Sequence, residues 1–357
     1  MNPVVFVVDR HGREYAPVDH LRSRVRAFLA EVSPPTHVRR LMEDERGFDL
    51  DVWLRMAADH DLLSLPGWVE QGVVLEETGR VLLCAPYLAT VTAAPLLPPE
   101  LRDAVAGGLC IATVAMAEPS GRPDAAGVRT RALASSGGRW RLEGEKSYVV
   151  DGCAADVMVV AARTDDEADV ALFLVEGDAP GVDRGPLPTV DRTRRLARIG
   201  LAAAPARRLD ASPEAAADLC AVALAAEQVG GAGRALEMAV EHARRRVQFG
   251  RPIGSFQAVK HLCADMLLEL ESARGAASHA AALAAASGDV REAAAVAKVC
   301  CSEAYVRVAT DSLHVHGALG FTWDHDAHLY LRRARSSYHL FGDPRHHRER
   351  LARHLGL

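Results

Sequence analysis

The chain has few aromatic residues, 5% of its 357, and no excess of charge of either sign: the formal net charge is −5. That balance gives no electrostatic reason to expect a nucleic-acid partner or an anionic membrane surface. No uninterrupted apolar run approaches the ~20 residues that a bilayer-crossing helix needs, so no membrane partner is expected. The opening, MNPVVFVVDRHGREY, lacks the basic lead-in and small-residue cleavage site of an export signal. No Cys-x-x-Cys occurs. The seven cysteines (Cys84, Cys110, Cys153, Cys220, Cys263, Cys300 and Cys301) are scattered, with one adjacent pair. This spacing argues against a zinc site or a disulfide framework and for reduced thiols in a cytoplasmic protein, with Cys300 and Cys301 as small core residues. G-x-S-x-G, P-loop and H-E-x-x-H patterns are also missing, and no metal is expected.

What is present is apolar material, 49% of residues, enough for a large core and two or three domains. Three textures succeed one another. Residues 1–108 read mostly as helix. Leu21, Val25, Phe28 and Leu29 recur at helical spacing, as do Trp53, Met56 and Ala57, and then Val74, Leu75 and Leu82. Val4–Val8, stopped by Asp9-Arg10-His11-Gly12, reads as a strand and turn. The run Leu96-Leu97-Pro98-Pro99-Glu100 reads as a connection. Residues 109–212 carry short valine-rich runs, 111–116, 157–162 and 170–175. Turn residues divide them: Ser136-Gly137-Gly138, Asp165-Asp166, Gly177-Asp178 and Gly185-Pro186. With no helix of crossover length between them, these predict a small antiparallel β-barrel or sandwich and disfavour a parallel Rossmann sheet. Residues 213–357 are alanine-rich and predict helices over 213–247, 256–287, 290–316 and 323–336, with a short last helix after Pro344. The fold class expected is a multi-domain α+β protein: an N-terminal helical domain, a small antiparallel β-barrel and a C-terminal four-helix bundle.

Gly230-Gly231-Ala232-Gly233 resembles a phosphate loop only superficially. The segment before it is helical, so close helix packing is the expected role. Arg345-His346-His347-Arg348 reads as a solvated basic face. Between two long helices lies Arg246–Gln257, RVQFGRPIGSFQ. An arginine fork suits phosphate oxygens, Phe249 can stack on a planar group, Gly250 and Gly254 permit close backbone approach, and Gln257 can pair with a heterocycle edge. The stretch is either a nucleotide-like binding loop or an elaborate turn.

The same stretch resembles the R-x-x-F-G-x-x-I-x-x-F-Q signature of the acyl-CoA dehydrogenase family. His314-Val-His-Gly317-Ala-Leu-Gly320-Phe321 resembles that family's Q-x-x-G-G-x-G-[FY]. Ala117-Glu118-Pro119 and Leu142-Glu-Gly144-Glu-Lys146-Ser-Tyr148 resemble its T-E-P and L-x-G-x-K-x-[WYF] stretches. AAEQVGGA and GFTWDHDAHLYLRRA resemble the actinobacterial branch that acts on steroid side chains and unusual acyl groups. The resemblance implies non-covalent FAD in a tetramer. Arg246, Phe249 and Gln257 would serve its pyrophosphate and adenine across a subunit interface, with His314, Gly317 and Gly320 approaching from the neighbouring chain. Met116, Ala117, Tyr148 and Val150 would line the flavin ring. It also implies α,β-dehydrogenation of an acyl thioester, carried by CoA or a carrier protein, with a flavoprotein or oxygen taking the electrons.

The chain departs from the family where the chemistry lies. The threonine before Glu-Pro is Ala117, the following glycine-serine is Arg122-Pro123, and the threonine or serine after the aromatic is Val150. The glutamine of the glycine segment is His314, and its second glycine is Ala318. The first domain is short between Leu65 and Val73. Of a substrate-side aspartate–arginine pair, Asp218 stays and the arginine position holds Ala221. Counted without gaps from Gly320, the catalytic glutamate falls on Phe341. Anchored on Arg350-Leu351, it falls on Asp343; the family's alternative position falls on Cys220. Asp343 is the carboxylate near either register and is the candidate base, although it equally reads as the start of the helix after Pro344. Glu227 is a weaker candidate with a structural reading. Three functions follow: a working dehydrogenase, a weakly catalytic partner subunit in a homo- or heteromeric tetramer or dimer, or a biosynthetic flavoenzyme with altered chemistry.

Overall fold

The computed structural model describes residues 18–122, 124–135, 139–164 and 169–357, with the backbone of Val7–Val8 and Glu14–Tyr15. Strands β1 (Val7–Val8) and β2 (Glu14–Tyr15) pair antiparallel. The rest of the expected Val4–Val8 strand and its turn lie outside the described residues, as do Pro123, Ser136-Gly137-Gly138 and Asp165-Asp166.

Six helices then follow among the described residues: α1 (Val18–Val32), α2 (Pro35–Glu43), α3 (Leu50–Ala58), α4 (Trp68–Arg80), α5 (Tyr87–Ala93) and α6 (Pro99–Ala106). Helix α1 buries Leu21, Val25, Phe28, Leu29 and Val32, the three-to-four spacing of one face. Helices α2 and α6 begin on proline, whose missing N–H costs nothing in a first turn. Asp49 caps α3 by accepting from the Asp51 and Val52 amides.

Strands β3 (Ala112–Ala115), β4 (Arg131–Ser135), β5 (Arg139–Val150), β6 (Val157–Arg163), β7 (Val170–Glu176), β8 (Val182–Pro186) and β9 (Leu196–Arg208) form one sheet. It closes as β6-β4-β5-β9-β7 and back to β6, with β8 beside β9 and β3 beside β6. The β4–β5, β5–β9, β7–β9 and β6–β7 pairings are antiparallel; β3 and β4 meet β6 in parallel. The small barrel is thus present, with parallel edges that the valine-rich runs did not announce.

Helix α7 (Pro213–Arg245), the hairpin β10 (Val247–Gln248) and β11 (Arg251–Pro252), and helices α8 (Gln257–Ala285), α9 (Arg291–His316), α10 (Ala327–His339) and α11 (Pro344–His354) complete the chain. Helix α7 is the axis, packing on α4, α8, α9 and α10. By length and composition it would pass for a membrane span, but 83% of its most apolar window is buried against protein, as a core helix requires. The glycine cluster serves this packing. A Cβ on Gly230 would fall 1.7 Å from the Glu76 carbonyl oxygen of α4, and one on Gly79 would fall 2.0 Å from the Glu227 carbonyl of α7. Backbone therefore meets backbone where α4 crosses α7. One apolar core joins α1, α3, α4 and the barrel to Ala223 and Leu224 of α7, and a second joins α2 and α4 to the bundle.

A buried ionic network ties the second and third textures together. Arg333 of α10 binds Asp191 at 2.7 Å and Glu227 of α7 at 2.5 Å; Arg194 binds Glu227 and reaches Ser337 at 3.1 Å. Glu227 is thus a structural residue here. Asp151, at left-handed φ 52, stands beside this network. Burial pushes its carboxyl up to about 7 against the opposing pull of Arg194.

Candidate active site

A cavity of about 710 Å³ opens between the barrel, α7, α10 and α11. The barrel supplies Met116 and Ala117 after β3, and Ser147, Tyr148 and Val149 on β5. The opposite wall runs from Ser336 and His339 to Asp343, with His346 and Glu349 from α11.

The barrel side is pinned by a buried ion pair. Glu118 accepts from Lys146 Nζ, the Arg129 and Thr130 amides and Thr130 Oγ1, each at 2.8 Å. Lys146 Nζ also donates to the Met116 carbonyl at 3.2 Å, and the Ser147 amide to the Ala117 carbonyl at 2.9 Å. Burial would raise the Glu118 carboxyl, but the charge and hydrogen bond of Lys146 hold it below its usual range. Burial lowers Lys146 to about 8 despite Glu118, so the pair is ionised at neutral pH. Glu118 and Lys146 of the barrel motifs are therefore each other's partners, and Lys146 also holds the Met116 carbonyl.

Tyr148 takes a left-handed φ of 59 and is half exposed at the cavity. Val150, expected on the same wall, is not there. It is buried, its carbonyl accepts from Thr113 Oγ1 at 2.6 Å, and Val149 lines the cavity instead. The cause is an irregularity between Lys146 and Val149 that breaks the strand's alternation.

Across the cavity, the α10–α11 turn has φ 57 at Phe341 and 92 at Gly342. A Cβ on Gly342 would meet His346 Cδ2 at 2.8 Å and His347 Nε2 at 2.9 Å, so this corner demands glycine. His346 and His347 are not the solvated basic face that their neighbours suggested. His347 is buried and its Nε2–H donates to the Phe341 carbonyl at 3.0 Å; burial pulls the imidazole down to about 3, so it is neutral. His346 is half-buried, lines the cavity, and is likewise lowered by burial and then by Arg350. Helical spacing, with both rings facing inward at the first turn of α11, is the signal that a count of flanking arginines obscures.

Asp343 lies on this wall. One oxygen, Oδ1, accepts from the His346 amide at 2.8 Å and caps α11, while the residue also borders the cavity. Both sequence readings of Asp343 therefore meet in one side chain. Phe341 also borders the cavity. Cys220 does not; it is buried, and burial pushes its thiol to about 12. Asp218 is displaced from the expected substrate position. It is buried away from the cavity, and Oδ1 takes a 2.5 Å hydrogen bond from Arg350. The arginine missing at Ala221 is thus supplied by α11, and the pair is internal.

The second set of candidate residues lies elsewhere, on the outer end of the bundle. The Ile253 amide donates to the Arg246 carbonyl at 2.8 Å and closes the β10–β11 hairpin. At its tip Phe249 has φ 53 and is 83% exposed. Arg251 covers the Phe256 ring at 4.2 Å. Arg246 and Gln257 are exposed, and their side chains make no hydrogen bond or ion pair among the described residues. His314 and Gly317 are exposed on the adjoining corner, which the imidazoles of His242, His316 and His325 fasten to α7 with ring centroids 4.6 and 4.3 Å apart. Gly320 is buried, and a Cβ there would strike Leu313 at 2.8 Å, so it serves packing. None of these residues lines the cavity.

The barrel and the bundle thus enclose one cavity, and a guanidinium and an amide with no hydrogen bond among the described residues stand beside the exposed Phe249 ring on a separate corner, a pair of sites that suits a long dinucleotide-type cofactor. Family comparisons agree. The acyl-CoA dehydrogenase C-terminal domain matches residues 214–356 and the acyl-CoA dehydrogenase middle domain matches residues 113–199. The acyl-CoA dehydrogenase IpdE2 of Mycobacterium tuberculosis is 34% identical over 335 residues, covering 91% of this chain and 93% of that protein. The ChsE4–ChsE5 complex of the same species superposes with a TM-score of 0.86 at 29% identity, over 95% of this chain and 97% of that one. The steroid dehydrogenase Tcur3481–Tcur3483, in a G363A variant, gives 0.88 at 29% identity with the same coverage. The chain belongs to the acyl-CoA dehydrogenase family, whose members are FAD-dependent oxidoreductases.

The residues present fit FAD in two pieces. The cavity beside Ala117 and Tyr148 has room for a planar ring system. The corner at Arg246, Phe249 and Gln257 offers an exposed cation, an exposed ring and an amide, the cation and the amide without a hydrogen-bond partner among the described residues.

Proposed function

We propose that the chain abstracts the α-proton of an acyl thioester at the Ala117–Asp343 cavity, with Asp343 as base. The observation that carries this reading is the second oxygen of Asp343: Oδ1 is committed to capping, and Oδ2 remains for a substrate proton. When bound, FAD supplies the oxidising power that leaves the acyl chain unsaturated. This chain's part is to orient the thioester, exclude water and accept the proton at Asp343. Met116, Ala117 and Tyr148 would face the flavin ring, while Arg246, Phe249, Gln257 and His314 would hold the nucleotide end. Because the two sets do not share a cavity, one FAD touching both joins two chains. The units 1–108, 109–212 and 213–357 would work as supporting helical domain, barrel wall and bundle wall. The thioester is carried by CoA or a carrier protein, the electrons pass to a flavoprotein or oxygen, and the setting is cytoplasmic.

A second reading has its own support: the chain as the weakly catalytic subunit of a heteromer. Phe341 stands where the base is expected, and two similar solved structures bear paired names, ChsE4–ChsE5 and Tcur3481–Tcur3483. The visible spectrum of the purified chain separates the readings. Flavin bound to the chain alone and bleached by acyl-CoA supports the first; flavin that appears only with a second, different chain supports the other. Turnover unchanged in Asp343→Asn would remove Asp343 from the chemistry.

A further inference from the structure

Lys298, on α9, is fully buried and has no carboxylate partner within ion-pair distance among the described residues. A lone buried ammonium is costly, and an apolar side chain of similar length would fill the space. Its contacts show what the charge does. Lys298 Nζ donates to Ser302 Oγ at 2.9 Å, to the Tyr338 carbonyl at 3.0 Å and to the Ser337 carbonyl at 3.3 Å. Ser337 and Tyr338 are in the last turn of α10, where carbonyls have no helical partner and the helix presents its negative end. Ser302 is itself fixed, accepting from Gln228 of α7 at 3.1 Å. Three residues beyond Tyr338, the chain turns left-handed at Phe341 and Gly342, and there His347 of α11 holds the Phe341 carbonyl. Carbonyls on both sides of Leu340 are thus gripped by buried side chains from different helices. The segment between and just beyond them is the cavity wall that carries Asp343.

We infer that Lys298 is a positioning residue for the reaction: its ammonium, with His347 opposite, fixes the Leu340–Asp343 turn so that Asp343 addresses the cavity. The inference rests on the reading of Asp343 given above. The grip calls for the charged amine, and burial brings Lys298 down to about 7, so the hold weakens as pH rises through neutrality. The groups facing it are Cys301 on its own helix, Asp343 and His347 of α11, the carbonyls and Ser337 of α10, with Arg194 beyond Ser337, and the neutral Gln228 of α7.

Hydrogen exchange of the segment 336–347 in the flavin-loaded assembly tests this directly. In Lys298→Met, exchange there should quicken about 10- to 100-fold, the loss of a charge-assisted clamp, with the barrel unchanged. In the wild type, exchange corrected for its intrinsic pH dependence should quicken between pH 6 and 8, and in Lys298→Met it should not. Acyl-CoA turnover should lose kcat with little change in KM, and the wild type should show an alkaline fall in kcat that the variant lacks. If Lys298→Met does not fold, the His347 pair replaces it. His347→Gln, which keeps a donor, should retain protection and kcat, and His347→Phe should lose both. Unchanged exchange at 336–347, or faster exchange with unchanged kcat, overturns the inference. Failure of the Asp343 reading is seen separately, as full turnover in Asp343→Asn with the exchange result intact.

Discussion

The cavity wall and the outer corner are built on opposite principles. At the cavity, buried polar groups are satisfied within the chain: the Glu118 carboxylate by Lys146 and two amides, the Phe341 carbonyl by His347, the last carbonyls of α10 by Lys298. At the corner, Arg246 and Gln257 are exposed with no hydrogen bond or ion pair among the described residues, and the exposed Phe249 ring meets Phe256 edge-on at 6.2 Å. A site complete in one chain spends its polar groups internally and presents a shaped space. A site completed by another molecule leaves its polar groups unpaired on a rigid support. The contrast separates what this chain does alone from what it does in an assembly.

Substitutions can break that contrast. The largest effect should come from Lys146→Met, which strands the buried Glu118 carboxylate. A loss of about 3–5 kcal/mol of stability, read from denaturant unfolding, is expected for a buried pair broken on one side. Next is Asp343→Asn, for which kcat on an acyl thioester should fall by about 10²-fold or more while thermal stability moves little, because asparagine still caps a helix. Arg246→Ala should leave folding untouched and weaken flavin retention by about 1.5–3 kcal/mol, measured by fluorescence of released FAD. Phe249→Ala should act in the same direction by about 0.5–1.5 kcal/mol. If either outer substitution destabilised the isolated chain as Lys146→Met does, the contrast would collapse.

A separate expectation is a pH dependence at the domain junction. Asp151 sits at about 7 in the folded chain, above the ~4 of a free carboxyl. The stability of its protonated form is full below ~4 and is lost as pH rises through about 7. Thermal midpoints of the wild type should therefore decline more between pH 5 and 8 than those of Asp151→Asn.

The sequence carried the helices well. The α7, α8, α9 and α11 expectations fall close to the observed spans because alanine, proline and glycine mark interiors and ends plainly. The barrel was legible only in part. Strands β3, β6 and β7 are valine-rich and buried, but β5 and β9 are long, half exposed and full of arginine, so no apolar run announces them. Motifs pointed to segments whose atoms only the fold arranges. Glu118 and Lys146 bind each other, Val150 faces the core because of one strand irregularity, and Asp218 pairs with an arginine over a hundred residues away. Each of these depends on a long-range pairing that local pattern does not encode. His346 and His347 were missed because the flanking Arg345 and Arg348 look like surface until helix phase is considered.

The glycine crossing of α4 and α7 has a consequence for engineering. With carbonyl oxygens 1.7 and 2.0 Å from where a methyl would begin, neither helix tolerates alanine at Gly230 or Gly79 without moving the other. The two helices are separated by more than a hundred residues of chain, yet they form one interlocking part. A chimera that takes its first hundred residues from one relative and its bundle from another must therefore transplant α4 and α7 as a matched set.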